Sequence, residues 1–342
     1  MLDKHPICRR SFLAAAAGAA LCSVKNSLAD DSLQRRKALA ADRDKALIAI
    51  TLDLEMSRNF PTWETTHWDY EKGNLNDETK QYTREACRRV HERGGVLHTF
   101  VVGRTLEQEN VDWLKEIAVE GHPIGNHTYD HVNITATKRE DLQPRFRRAP
   151  WLVADRTPAE TIADSIRLTN LALKERLDVE AAGFRTPGGF GTGLADRPDL
   201  QKLLQSLGFT WVSGKYPRHP NPPITEPTRE TIERIVAAQV EAQPFVYPSG
   251  LIEVPMSPIS DIGAFRTGRW KLDSFLRAIR AGVTWAIEHR AVFDFLGHPS
   301  CLYVTDPEFH TIDLICELVA EAGERAAIVD LDTIALRVKL RT

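Results

Sequence analysis

From about residue 46 to about residue 330, short runs of Ile, Val, Leu and Phe alternate with stretches of helical periodicity, and no Pro/Gly/Ser-rich linker interrupts them. Strands are expected at 46–54 (ALIAITLDL), 96–102 (VLHTFVV), 181–185, 208–213, 251–254, 291–296 and 326–330, with a short strand and turn at 122–131. Helices are expected between them at 77–93, 108–120, 158–177, 199–207, 228–240, 272–289 and 306–322. The first opens on Asp77 as a possible N-cap and closes at Gly94-Gly95. Such alternation implies parallel strands joined by crossover helices. Seven or eight units without a break favour one α/β domain, a barrel, whose functional groups gather at the C-terminal ends of the strands. No G-x-G-x-x-G follows the first strand, which argues against a dinucleotide-binding fold.

The segment 1–29 is of another kind. Arg9-Arg10-Ser11-Phe12-Leu13 leads into an Ala-rich stretch ending near Val24, and Ser27-Leu28-Ala29 supplies small residues for cleavage. This resembles a twin-arginine export signal, so the expected partner is the twin-arginine machinery and the expected destination periplasmic or secreted. The stretch is shorter than the roughly 20 residues of a membrane span, so no stable insertion is expected. Residues 30–44 are expected as a polar leader, and 45–342 as the catalytic barrel. Cys8 and Cys22 fall within the signal; Cys87, Cys301 and Cys316 remain, too few for a disulfide framework. With 42% hydrophobic residues the chain is not disordered, and a net charge of −3 gives no basic field for nucleic acid.

Chemistry is concentrated at the expected strand ends. In Thr51-Leu52-Asp53-Leu54-Glu55, strand alternation turns Asp53 and Glu55 to one side and Leu54 to the other. Two carboxylates on the inward side are costly unless they hold a metal or act as base and ligand. Gly125-Asn126-His127-Thr128-Tyr129-Asp130-His131 sets two histidines four residues apart. On a turn of helix both imidazoles would share one face and could bind one divalent ion. Gly183-Phe184-Arg185-Thr186-Pro187-Gly188-Gly189 ends another strand with an arginine, a rigid proline and glycines. Phe295-Leu296-Gly297-His298-Pro299 ends a further one with a histidine. His98 reads as an interior histidine and Cys301 as packing. No residue in 251–262 stands out for a role.

These motifs in this order resemble the polysaccharide deacetylase family, the NodB-homology domain, over about 45–333. The likeness is densest at 95–133 (GGVLHTFVVG to GHPIGNHTYDHVN). The resemblance implies a distorted (β/α) barrel, usually seven-stranded, and removal of N- or O-linked acetyl groups from a carbohydrate with zinc or another divalent ion. It implies Asp53 as general base, His127 and His131 as metal ligands, and Arg185 as the arginine that orients the base. It places the Gly188 N–H, beside Pro187, near the oxyanion, and makes His298 the general acid. Leu54 occupies the place of the family's usual second aspartate. Glu55 then matches a divergent branch with an Asp-x-Glu first motif, as third ligand. The family's motif of an Asp near a Trp is not evident around Trp211, so the partner of Arg185 is not identified. Trp63 and Trp68, in an aromatic loop after the first strand, are candidate substrate contacts. Two further readings remain: an allantoinase-like hydrolase opening a cyclic ureide or imide, and an inactive barrel that binds glycans.

Overall fold

In β1 (Ala46–Leu54) every residue is buried, yet successive side chains go to different places. Leu47 and Ala49 join an apolar cluster with Phe100, Trp211 and Val292, while Ile48, Ile50, Leu52 and Leu54 join another made largely with helix residues. This is the two-residue period of a strand covered on both faces, as parallel sheets are. The computed structural model describes residues 44–57 and 72–341. The expected export signal, nearly all of the polar leader, and Trp63 and Trp68 lie outside the described residues.

The other strands are β2 (His98–Val101), β3 (Ile124–Asn126), β4 (Gly183–Phe190), β5 (Trp211–Lys215), β6 (Phe245–Val246), β7 (Ile252–Glu253), β8 (Val292–Gly297) and β9 (Ala326–Ile328). Seven of them lie side by side in the order β7-β5-β4-β3-β2-β1-β8, each neighbouring pair parallel. These are the expected seven staves of a distorted barrel. Two short strands are additions: β6 runs antiparallel on the free edge of β7, and β9 pairs with Ala46–Ile48.

Side chains complete the seam between β8 and β7. The chain beyond β7 follows β5, with Val254 N–H donating to Val212 O (2.8 Å) and Met256 N–H to Lys215 O (2.9 Å). It then crosses to β8, where Ser257 N–H donates to Asp294 O (3.0 Å) and Ser257 Oγ accepts from Asp294 N–H (3.0 Å). Lower down, the Gln243 amide donates to Val292 O (3.0 Å) and accepts from Val292 N–H (2.9 Å). The backbone edge of β8 is thereby satisfied without a continuous ladder.

The helices are α1 (Asp77–Glu92), α2 (Asp112–Val119), α3 (Arg139–Leu142), α4 (Pro144–Arg148), α5 (Pro158–Leu177), α6 (Pro198–Ser206), α7 (Arg229–Ala237), α8 (Leu272–His289), α9 (Pro299–Thr305), α10 (His310–Ala322) and α11 (Leu331–Lys339). The bounds expected for α5 are met because its ends carry strong local signals. Thr157 and Glu160 form a capping box, Pro158 occupies the first turn, and Asp178 closes the helix in the left-handed region (φ 56°). For α1 the cap is Asn76, not Asp77: Asn76 Oδ1 accepts from Thr79 N–H at 3.0 Å. The helix expected at 306–322 begins later, because the Asp306 carboxylate caps α10, accepting from the N–H groups of His310 and Thr311 (2.8 Å each). Sequence reading did not find α11. Its Leu331, Ile334 and Ala335 pack with Leu47, Ala49 and Trp211 and close the floor of the barrel.

Close packing around Trp211 makes a stability test. A Cβ on Gly183 would lie 1.9 Å from the Trp211 ring, and the ring is fixed by its Nε1–H donating to Asp332 (2.7 Å). Gly183→Ala is expected to cost about 1–3 kcal/mol through overpacking. Urea unfolding should show a lower midpoint with an unchanged slope; an unchanged midpoint would mean that the ring yields freely.

Candidate active site

The barrel interior is layered. Above the apolar floor, His98 stacks on Phe100 (centroids 4.6 Å apart, 6° between planes). It is buried, and its Nδ1 accepts from Leu331 N–H (3.4 Å), the interior histidine expected. Arg185, from β4, is fully buried above this layer, its guanidinium 4.6 Å over the Phe100 ring. Its Nη2 donates to Asp294 Oδ2 (3.0 Å) and to Thr51 Oγ1 (2.9 Å), and Thr51 in turn donates to Asp294 Oδ1 (2.8 Å). One ionic contact thus spans β1, β4 and β8. The bracing residue that sequence reading did not identify is Asp294.

At the C-terminal mouth, Asp53 and Glu55 both face inward, as strand parity requires; they are 4% and 5% exposed. Asp53 Oδ1 lies 4.0 Å from Arg185 Nε and has no hydrogen-bond partner among the described residues. Arg185 therefore acts on Asp53 through charge and not through a hydrogen bond. Burial is the largest influence on Asp53 and pushes its pKa up to about 6, while Arg185 and His298 pull it down.

His127 and His131 meet Glu55 at the mouth, but not on a helix. The stretch 127–131 is a loop after β3, with Thr128 and His131 in the left-handed region (φ 59° and 53°). Such non-glycine conformations cost about 1–3 kcal/mol each and are held only when the surroundings over-determine them. Here Asn126 Oδ1 accepts from Thr128 N–H (2.8 Å), Thr128 Oγ1 accepts from Val132 N–H (3.0 Å), and the Asn126 amide is tied to Ile166 O (2.9 Å). The ring centroids of His127 and His131 are 4.9 Å apart.

The donor set fits a divalent cation. One ligand atom each from Glu55, His127 and His131 lies within 4.8 Å of the others. Glu55 Oε2 is 2.5 Å from His131 Nε2 and 3.8 Å from His127 Nε2, yet it is buried and makes no hydrogen bond of good geometry among the described residues. His127 Nδ1–H donates to Arg185 O (3.0 Å), which leaves its Nε2 lone pair facing the carboxylates. Burial holds the pKa of His127 well below the ordinary imidazole range and lowers that of His131, which favours the neutral rings that a cation would need.

His298, beyond the end of β8, turns its Nε2 toward the carboxylates, 4.0 Å from Asp53 Oδ2 and 3.8 Å from Glu55 Oε1. Its other nitrogen is 2.8 Å from Asp261 Oδ1, and its backbone N–H donates to Asp261 Oδ2 (2.7 Å). Burial favours the neutral ring, but Asp261, then Asp53 and Glu55, outweigh it and raise the pKa of His298 above the ordinary 6.5. Asp261 was passed over in the stretch 251–262. Lys72, which was also missed, is buried with its ammonium on Glu55 Oε1.

Of the residues singled out from sequence, Asp53, Glu55, His127, His131, Arg185 and His298 converge here. Pro187 and Gly188 continue β4 to the rim, Pro187 buried and Gly188 exposed at φ 81°. The Gly188 carbonyl is held by Thr186 Oγ1–H (2.6 Å).

Residues 68–212 match the family model for polysaccharide deacetylase. No curated protein matches the chain. Among solved structures, it resembles a Mycobacterium smegmatis protein described as a polysaccharide deacetylase, with a TM-score of 0.57 at 17% identity over 87% of this chain and 92% of that one. A Pseudomonas aeruginosa PAO1 protein, likewise described as a polysaccharide deacetylase, gives a TM-score of 0.56 at 12% identity over 86% and 91%. The fold is thus the distorted barrel of these proteins, and a polysaccharide deacetylase domain is supported by the family model and the structural neighbours together.

The Arg185–Asp294 contact can be tested apart from any activity. Asp294→Ala would leave a buried guanidinium without its counter-charge and is expected to cost about 3–5 kcal/mol in denaturant unfolding. Asp294→Asn, whose amide oxygen can still accept from Arg185 while its NH2 donates to Thr51 Oγ1, should cost less. A loss under about 1 kcal/mol for the alanine variant would show that the contact carries little.

Proposed function

We propose that this chain is a metal-dependent hydrolase that removes N- or O-linked acetyl groups from a carbohydrate. The observation that supports this most is the meeting at one barrel mouth of a buried carboxylate near neutral pKa, an imidazole held by an aspartate, and a carboxylate oxygen facing two imidazoles. A divalent cation held by Glu55, His127 and His131, most reasonably zinc for a two-histidine, one-carboxylate set, supplies Lewis acidity toward the acetyl carbonyl and water.

The remaining work belongs to the protein. Asp53 takes the proton of the attacking water as the new C–O bond forms at the acetyl carbon. His298, protonated and aimed by Asp261, gives a proton to the leaving nitrogen or oxygen as its bond to that carbon breaks. Acetate and a free amine or hydroxyl result. Arg185 favours the carboxylate form of Asp53, against the effect of burial. The Gly188 N–H, at the rim beside Pro187, is proposed as a donor to the oxyanion, and Trp63 and Trp68 as sugar contacts. Export through the twin-arginine machinery to the periplasm or beyond accords with a carbohydrate substrate. Among the described residues no helix is long and apolar enough to cross a membrane.

Acetate release from acetylated sugar oligomers is the test. Asp53→Asn is expected to lower turnover by about 10²–10⁴-fold, the usual contribution of a general base, with the fold unchanged by circular dichroism. Normal turnover in that variant would overturn the assignment of the base.

The pH profile should be bell-shaped. The base must be deprotonated, so activity rises with pH through the Asp53 pKa of about 6, or below it once a cation adds positive charge. The acid must be protonated, so activity falls again above the raised pKa of His298. His298→Gln should remove the alkaline limb; a limb that persists would assign the acid elsewhere.

A further inference from the structure

The ammonium of Lys72 sits on Glu55 Oε1, and both side chains are only 7% exposed. This is not a wandering surface lysine. Lys72 O accepts from Met56 N–H (3.0 Å), so the backbone of Lys72 is fastened to the residue that follows Glu55. The two oxygens of Glu55 are divided: Oε1 faces Lys72 and His298, and Oε2 faces His127 and His131. Nearby, Arg185 pairs with Asp294 and His298 with Asp261. Lys72 sits on the carboxylate that the cation would need.

We propose that Lys72 is a resident counter-charge on Glu55 that holds this carboxylate to a single free oxygen and keeps the cation affinity of the Glu55–His127–His131 site lower than those three ligands alone would give. This rests on the metal-site reading above and deepens it. Two positive charges converging on one buried carboxylate repel each other strongly where the effective dielectric constant is low. A neutral second-shell partner would act in the opposite direction, since it orients a ligand without repelling the ion, and its loss typically weakens binding about 10–100-fold. The sign of the effect therefore separates a charge that opposes binding from a brace that assists it.

The test is direct zinc titration of the metal-free chain, in competition with a chromophoric chelator, for the wild type, Lys72→Met and Lys72→Arg. Cobalt(II) absorption serves as a second readout of the coordination, and neither readout depends on turnover. Lys72→Met is expected to bind zinc about ten-fold more tightly or better, while Lys72→Arg, which keeps the charge, stays near the wild type. Should Lys72→Met fold poorly by thermal melting, Lys72→Gln keeps a hydrogen bond to Glu55 without the charge and takes its place. Unchanged or weaker binding in the neutral variants would overturn the inference while leaving the metal site intact. No binding in any of the proteins would overturn the metal-site reading as well. Binding in Lys72→Met but not in the wild type would support the inference in its strongest form.

Discussion

A fully buried guanidinium must find a counter-charge, and in this barrel Arg185 finds it across the whole width of the interior. The pair it makes with Asp294, with Thr51 bonded to both, ties together β1, β4 and β8, strands far apart in sequence. Replacing such a pair by well-packed apolar residues often costs little stability, whereas removing one partner is severe. What the charge adds is position. It lies beneath the mouth, with Nε 4.0 Å from Asp53, and so biases the ionisation of the group best placed to act as a base.

Much of this was legible in the sequence because it depends on local rules. The parity of β1 placed Asp53 and Glu55 together, and the helix expected at 158–177 matches α5, whose ends the structure shows to be fixed by a capping box and by the left-handed Asp178. The four-residue spacing of His127 and His131 pointed to a shared ligand, but for an incomplete reason. A helix would have brought them together by its period; the protein does it with a loop bent at Thr128 and His131 and anchored by Asn126. Backbone geometry of that kind is set by tertiary bonds to the start of the loop, and no periodicity announces it.

What escaped sequence reading is mostly partnership. Asp294 is 109 residues from Arg185, and Asp261 is 37 from His298, so neither pairing has a spacing signature. Each did leave a trace. Asp294 interrupts the apolar run VFDFLG of β8 at an inward-facing position, where an unpaired carboxylate would be costly. Asp261 stands in a stretch without neighbouring basic residues until Arg266. The helix α11 was recoverable from Asp330 as an N-cap and from apolar residues at 331, 334, 335 and 338. The family model, which ends at residue 212, reaches His127, His131 and Arg185 but not Asp261, Asp294 or His298. Of those three, His298 was legible as a histidine at a strand end, whereas Asp261 and Asp294 emerged only from the fold.

The central claim is that Glu55, His127 and His131 form one cation site on which the hydrolytic reading depends. Elemental analysis of the purified protein, beside a His127→Ala/His131→Ala double variant of equal secondary structure, tests it most directly. The account predicts about one divalent ion per chain in the wild type after incubation with zinc and none retained by the variant. Equal metal in both proteins, or none in either, would contradict it.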